Sequence, residues 1–194
     1  MLANLKDHRI ILASQSPRRQ ELLRMAEVDF EVAAIPGLEE SFPDSLPAEQ
    51  TAQYLARMKM EGYEEYWSQP KTLVITADTV VVLGDEVLGK PRDREDAIAM
   101  LSRLSGAVHT VFTGVAIRTA ERQSSFTAST QVFFKELQER DIIDYVDRYR
   151  PFDKAGSYGV QEWIGLIGVG RIEGSFYNVM GLPVATLYEE LRKF

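Results

Sequence analysis

Cysteine is absent from the 194 residues of this sequence. Its absence excludes disulfide bonds, thiolate metal sites and a cysteine nucleophile. No apolar run approaches the roughly 18 residues of a membrane-spanning helix, and the first residues contain no apolar stretch of signal-peptide length. We therefore expect a soluble, cytoplasmic protein with no membrane partner.

Positive charge is also scarce, since 22 Lys and Arg residues stand against 29 Asp and Glu, a net charge of −7. Such a chain has no overall attraction for a nucleic-acid backbone, so we expect no nucleic-acid partner. A phosphate ligand would have to be held by a local cluster of basic residues. The G-x-x-x-x-G-K-[ST] element is missing, which argues against a P-loop nucleotidase or kinase.

Apolar residues make up 45% of the chain, enough for a hydrophobic core. Repeats and Pro- or Gly-rich linkers are absent, which predicts a single domain over residues 1–194. Strands and helices alternate early, whereas neighbouring strands follow one another later, so we expect a mixed β-sheet flanked by helices, an α/β fold. The predicted strands cover 9–13, 29–34, 72–83, 87–88, 108–118 and 124–134, and the predicted helices begin at 17, 48, 93, 138 and 183. We expect loop and strand in the glycine-rich residues 156–174, and the second helix is predicted to reach Tyr66.

The strongest local signal is the turn Ser14-Gln15-Ser16-Pro17-Arg18-Arg19, between an apolar strand and a helix start. Free backbone N–H groups and the positive end of the helix dipole meet two guanidinium groups there, which favours phosphate binding. An ordinary capped helix with solvated arginines explains the same residues.

Asp78 lies inside the apolar run from Val74 to Val82. A carboxylate buried there needs a partner, such as a metal ion or a water molecule held for proton abstraction. A carboxylate that caps a turn between two strands is the alternative.

Four further features are weak when taken singly. Lys59 and Lys90 are each a lone lysine, a residue that is usually solvated. Glu39 and Glu40 offer oxygen ligands to Mg²⁺, although an acidic loop commonly serves only solubility. Gln161 follows two glycines and presents a hydrogen-bond donor and an acceptor that a base edge could use.

Several blocks taken together resemble the Maf family of nucleoside triphosphate pyrophosphatases. They occur in order along nearly the whole chain: S-x-S-P-R-R, I-T-A-D-T-V-V-V, L-G-K-P-R-D, R-L-S-G-x-x-H-x-V-x-T-G-V, D-K-A-G-x-Y-G-x-Q and N-V-M-G-L-P. The resemblance implies a Maf/ITPase-like fold with a nucleotide-binding cleft. It also implies hydrolysis of a nucleoside triphosphate to the monophosphate and pyrophosphate with a divalent cation, Mg²⁺ or Mn²⁺. A homodimer is among the arrangements that it implies.

The resemblance assigns roles by position. Asp78 is the proton acceptor and, with Glu40, a metal ligand. The residues around the triphosphate are Ser14, Arg18, Arg19, Lys59 and Lys90. Arg18, Thr79 and Gln161 match the branch that acts on dTTP and UTP, and a glutamine amide suits the mixed donor and acceptor edge of a pyrimidine.

Two other functions remain open at this point. One is a pyrophosphatase directed at modified nucleotides, for which dTTP and UTP are incidental substrates. The other is a nucleotide-sensing regulator, for instance of cell division or septum formation, with little or no turnover. Asp78 favours an enzyme, because a sensor does not need a carboxylate beside four phosphate-binding cations.

Overall fold

The computed structural model describes residues 2–35 and 41–194. The strands of these residues are β1 Arg9–Leu12, β2 Glu31–Val32, β3 Thr72–Leu83, β4 Glu86–Leu88, β5 Val108–Arg118, β6 Gln123–Phe134 and β7 Val169–Glu173. The α-helices are α1 Pro17–Met25, α2 Ala48–Glu61, α3 Glu64–Trp67, α4 Arg94–Leu104, α5 Glu139–Tyr149, α6 Trp163–Gly168, α7 Phe176–Met180 and α8 Val184–Leu191. None of the helices in this part of the chain is long and apolar enough to cross a membrane.

The strands form one mixed sheet in the order β2-β1-β3-β5-β6-β7, with β4 beside β3. β1 runs parallel to both β2 and β3, whereas β4 is antiparallel to β3 and β7 is antiparallel to β6. The parallel pairs come from the early part of the chain, where helices separate the strands. The predicted mixed sheet with flanking helices is confirmed.

β3 lies inside the sheet because most of the side chains that point to each of its two faces are apolar. Its residues are buried from Thr72 to Asp78, and only Thr79 and Leu83 are partly exposed. An apolar run of this kind is typical of a strand covered on both sides. Asp78 is therefore held in the interior of the sheet, 8% exposed.

The start and end of α4 follow the predicted local signals. Asp93 caps the helix, since its Oδ1 accepts a hydrogen bond from the Asp96 backbone N–H at 2.8 Å. Gly106, two residues after the helix, has a φ of +68°, a conformation that suits glycine. The predicted N-cap and the glycine stop are both confirmed.

The chain divides into two compact units that share strands instead of being joined by a linker. Unit 1 comprises the chain up to Asp78 together with Thr113–Ala128 and Gly181–Phe194, and unit 2 comprises Thr79–Phe112 and Ser129–Met180. Asp78 and Thr79 are consecutive residues of β3.

The core of unit 1 lies between α2 and the sheet. A buried cluster there joins residues of β1, α2, β3 and β5, and it consists of Ile11, Ala13, Ala56, Met60, Tyr63, Val74 and Ala116. Because α2 contributes Ala56 and Met60 to this cluster, the residues between them are held close to the sheet. Lys59 is one of those residues.

The core of unit 2 is built around α4 and α5. Leu101, Leu104, Ile142 and Tyr145 are buried there, and Arg94 Nε bonds Asp147 Oδ1 at 2.6 Å. The ring of His109, on β5, is buried nearby in the same unit, 2.8 Å from the Tyr158 hydroxyl through its Nε2. Burial lowers the pKa of His109 to about 4, so the ring is neutral at pH 7.

The strand predicted over 29–34 is shorter and covers only Glu31–Val32. Two further predicted elements are wrong in part. The helix predicted to reach Tyr66 ends at Glu61, and α3 follows, because the chain turns at Tyr63. The Tyr63 ring is buried, and its hydroxyl bonds the Ile35 N–H at 3.0 Å and the Ala33 carbonyl at 3.1 Å. Tertiary contacts of this side chain override the continuous helical pattern.

The segment 156–174, predicted as loop and strand, contains the short helix α6 as well as β7. Gly165 explains why the helix fits: a Cβ atom at this position would lie 2.1 Å from the Val160 carbonyl oxygen. The helix forms because a glycine allows this close backbone approach. α7 was not predicted from the sequence.

Candidate active site

The turn after β1 leads directly into the N-terminus of α1. Ser16 occupies the N-cap position of α1 and Pro17 the first helical position, but the Ser16 side chain makes no capping hydrogen bond. The first backbone N–H groups of α1 therefore do not use that hydroxyl as an acceptor. Arg18 lies in this first turn of the helix, partly buried.

Ser14 and Arg19 are brought together in this turn. The Ser14 hydroxyl, in a residue that is 8% exposed, accepts hydrogen bonds from the Ser16 N–H at 3.2 Å and from Arg19 Nη1 at 3.3 Å. Arg19 Nε also donates to the Gly181 carbonyl oxygen at 2.8 Å. The Arg19 guanidinium is thus anchored, which reduces the entropy that it loses on binding an anion.

Asp78 and Lys59 form a buried ion pair. Lys59 Nζ lies 2.5 Å from Asp78 Oδ1, and the two side chains are only 13% and 11% exposed. Sequence reasoning placed Lys59 near the triphosphate and expected a metal ion or water beside Asp78, so this direct contact was missed. No local signal could have shown it, because the two residues are 19 positions apart and meet only where α2 crosses β3.

Two contacts position α2 over the sheet. The Thr76 hydroxyl of β3 donates to the Ala56 carbonyl oxygen of α2 at 2.7 Å, one helical turn before Lys59. Gly114 of β5 lies directly beneath the same helix, where a Cβ atom would come within 2.3 Å of the Ala52 carbonyl carbon and oxygen. The glycine therefore sets how closely α2 approaches, and with it the position of the Lys59 ammonium.

We expect Gly114→Ala to lower the free energy of unfolding by about 2 to 3 kcal/mol, because the added methyl group meets the backbone of Ala52 and α2 must move. Thermal unfolding monitored by circular dichroism should show a melting temperature lower by roughly 4–12 °C. Gly89→Ala is the matched control, since a Cβ atom at Gly89 meets nothing within 4 Å. Equal melting temperatures for the two variants would contradict this account.

The Ser14 turn and Asp78 lie at the same level of two parallel neighbours. The last registered pair is Leu12 with Ile75, and the Ala13 N–H continues the ladder by donating to the Ile75 carbonyl oxygen at 2.9 Å. Ser14 follows Ala13 directly, and Asp78 lies three residues beyond Ile75. Unit 1 therefore presents an anchored arginine, a serine turn and the Lys59–Asp78 pair along one pair of strands.

The remaining predicted residues of the described chain belong to unit 2. Thr79 follows Asp78 in β3 and is partly exposed, Lys90 is exposed two residues after β4, and Gln161 is exposed just before α6. The Gly156 N–H donates to the Gly89 carbonyl oxygen at 3.0 Å, which ties the D-K-A-G segment to the residue preceding Lys90. Glu39 and Glu40, the proposed acidic loop, lie outside the described residues.

Comparisons with known proteins show which family the chain is similar to. The family model described as Maf-like protein matches residues 9–194. The chain is 53% identical over 195 residues to the "dTTP/UTP pyrophosphatase" of Porphyromonas gingivalis, covering 100% of this chain and 98% of that protein. It is 53% identical over 193 residues to the protein of the same name from Bacteroides thetaiotaomicron, covering both chains completely.

A solved structure supports the fold. The HAM1 protein from Coxiella burnetii superposes with a TM-score of 0.50 at 14% identity, covering 96% of this chain and 100% of that one. This likeness concerns the fold alone. Together with the match over residues 9–194 and the full-length relatives, the motifs establish that the chain belongs to the Maf-like protein family.

Proposed function

We propose that this protein hydrolyses dTTP and UTP to the nucleoside monophosphate and pyrophosphate. The single observation that carries the proposal is the buried Lys59–Asp78 pair, a carboxylate held at 2.5 Å from an ammonium in the interior of the sheet. The full-length relatives named dTTP/UTP pyrophosphatase support the substrate and the reaction.

Asp78 is the group that activates water in this proposal. The Lys59 ammonium holds the Asp78 carboxylate in position, and the carboxylate accepts a proton from a water molecule. The water oxygen attacks the α-phosphorus in line, and the bond from that phosphorus to the bridging oxygen breaks. Pyrophosphate leaves with the bonding electron pair, and the proton on Asp78 returns to solvent.

The serine turn and the basic side chains hold the triphosphate. Charge accumulates on the leaving pyrophosphate, and positioned cations stabilise it most when they are fixed before the reaction. Arg19 is fixed by its bonds to Ser14 and to the Gly181 carbonyl. Arg18, on the same helical turn, and Lys90 add positive charge, and the N-terminal end of α1 adds its helix dipole.

The donor set at Asp78 fits a divalent cation that arrives with the nucleotide. Mg²⁺ prefers one or two carboxylates together with substrate phosphates and water, and the Asp78 carboxylate supplies one such ligand. Within residues 2–35 and 41–194 no group of three or more His, Asp or Glu side chains is arranged to hold a metal. Glu40 is the proposed second carboxylate. A bound Mg²⁺ or Mn²⁺ would neutralise phosphate charge.

Gln161 is proposed to read the base, because its exposed amide can accept from the pyrimidine N3–H and donate to a neighbouring carbonyl oxygen. We expect Gln161→Glu to reduce the preference for UTP over GTP about tenfold or more, since a carboxylate cannot donate to a carbonyl oxygen and suits the donors of guanine. Steady-state kinetics with both nucleotides measure the ratio of kcat/KM values.

Gln138→Glu serves as the control for Gln161→Glu, because Gln138 is an exposed glutamine elsewhere in unit 2, at the start of α5. We expect it to retain the wild-type preference. A Gln161→Glu variant with the same preference as Gln138→Glu would remove Gln161 from base recognition and would leave the reaction itself in place.

The proposed reaction is tested by incubating the purified protein with each common nucleoside triphosphate and Mg²⁺ or Mn²⁺, then resolving the products. Monophosphate and pyrophosphate from dTTP and UTP are the expected result. Diphosphate and phosphate would mean that water attacks a different phosphorus. Binding without turnover of any triphosphate would overturn the proposal that the protein is an enzyme and would favour a nucleotide sensor.

A further inference from the structure

A buried polar network in unit 2 lies next to Gln161 and has no part in the chemistry described above. We call it the Tyr145 network, and it comprises Tyr145, Lys154, Gly159 and Glu162. The Tyr145 hydroxyl donates to the Glu162 carboxylate and accepts from the Gly159 N–H at 3.1 Å. Lys154 Nζ lies 3.1 Å from Glu162 Oε1 and 2.8 Å from Asp153 Oδ1.

The network is unusual in its burial. Tyr145 is fully buried and Lys154 is 9% exposed, so a hydroxyl and an ammonium have both been removed from water. Burial raises the pKa of the Tyr145 phenol, which keeps the hydroxyl protonated as the donor to Glu162. Burying these groups is costly unless each is hydrogen-bonded, and a satisfied network then favours a single local arrangement.

The contacts of the network lie on both sides of Gln161. Gly159 precedes this residue by two positions and Glu162 follows it directly. The Glu162 side chain folds back over Gly159, since a Cβ atom there would lie 2.6 Å from Glu162 Cδ. The Glu162 N–H also donates to the Gly159 carbonyl oxygen at 3.0 Å. The backbone that carries Gln161 is thus closed into a tight turn while Gln161 itself stays exposed.

Helices hold this turn on either side. Tyr145 belongs to α5, and the Glu162 carbonyl oxygen accepts from the Gly165 N–H at 2.9 Å at the start of α6. A side chain that recognises a ligand is most selective when rigid elements and a supporting shell of hydrogen bonds fix its position. The Tyr145 network supplies that shell for an otherwise solvated glutamine.

We propose that Glu162 and Tyr145 are positioning residues that set the selectivity of Gln161 for the uracil or thymine edge. Neither side chain touches the base; they act by holding the turn in which Gln161 lies. The inference rests on the proposed function, because it assumes that Gln161 faces the base of a bound nucleotide.

The test compares UTP with CTP, two nucleotides that share the sugar and triphosphate and differ only at the base edge. Dissociation constants are measured by calorimetry with Mg²⁺ in an Asp78→Asn background, so that selectivity is read without turnover. The ratio of the two dissociation constants does not depend on the folded fraction, because partial unfolding lowers the apparent affinity for both nucleotides by the same factor. A merely structural role therefore leaves the ratio unchanged.

We expect Tyr145→Phe and Glu162→Ala each to lower the UTP preference about tenfold, as small displacements of a recognition group cost affinity. Glu162→Gln should keep much of the UTP preference that Glu162→Ala loses, since the glutamine amide oxygen still accepts from the Tyr145 hydroxyl. When Tyr145→Phe or Glu162→Ala is combined with Gln161→Ala, the ratio of the UTP and CTP dissociation constants should equal that of Gln161→Ala alone. Tyr149→Phe is the matched control, because Tyr149 stacks on Tyr145 at 5.0 Å but is 43% exposed.

Three results would overturn the inference. An unchanged ratio in both Tyr145→Phe and Glu162→Ala overturns it alone and leaves the proposed function standing. A wild-type protein that hydrolyses UTP and CTP equally well removes the base selectivity on which it rests. Wild-type protein that neither binds nor hydrolyses either nucleotide overturns the inference and the proposed function together.

Discussion

Asp78→Asn is expected to lower kcat for dTTP and UTP by about a thousandfold while the nucleotide dissociation constant changes by less than about tenfold. The amide matches the carboxylate in shape but cannot accept a proton from water. It also retains a carbonyl oxygen that accepts from Lys59, which lies 2.5 Å from Asp78 Oδ1. Initial rates of pyrophosphate release and calorimetric titration with the nucleotide give the two quantities separately.

Asp85→Asn is the control for this variant, because Asp85 is exposed in the turn between β3 and β4. It should keep the wild-type rate. If Asp78→Asn lost binding and turnover in equal measure, Asp78 would act only as a metal ligand and not as the base. If it kept the wild-type rate, another group would have to activate water.

Lys59→Met is expected to lower the free energy of unfolding by about 3 kcal/mol and to reduce turnover strongly. Removing the ammonium leaves the Asp78 carboxylate buried without its 2.5 Å partner, and such uncompensated charges typically cost about 3–5 kcal/mol. Chemical denaturation followed by circular dichroism measures the stability, and pyrophosphate release measures turnover.

A double variant distinguishes the loss of a charge pair from the loss of packing. Lys59→Met/Asp78→Asn removes both charges, so it should be more stable than Lys59→Met alone, although both remain inactive. Lys6→Met, at an exposed lysine of unit 1, should leave stability unchanged. A double variant that is no more stable than Lys59→Met would show that the lost lysine contacts, and not the unpaired carboxylate, account for the destabilisation.

The sequence was informative wherever a local signal is sufficient. The predicted bounds of β3 and β5 agree with the structure because long β-branched runs end at clear turn residues. The start of α4 was predicted from one capping side chain, Asp93. The motifs likewise identified the family over nearly the whole chain, since each is a short, contiguous pattern.

Predictions failed where the structure depends on contacts between residues that are not neighbours in the sequence. The helical pattern after Ala48 continues past Glu61, but the buried Tyr63 ends the helix by bonding to the segment after β2. The glycines of 156–174 led to the prediction of a loop. Gly165 instead lies in α6, at a point where the helix approaches the Val160 carbonyl too closely for a side chain. Propensity is a weak prior, and these packing contacts outweigh it.

The site shows the same division. By itself the sequence determined which residue types are available: a serine turn with two arginines, a carboxylate within an apolar strand, and a glutamine after two glycines. Only the tertiary structure decided that Lys59 is the partner of Asp78, and that Glu162 closes the turn around Gln161 onto Tyr145. The physical reason is that an ion pair or a buried hydrogen bond depends on where packed elements cross, and no local pattern records that crossing.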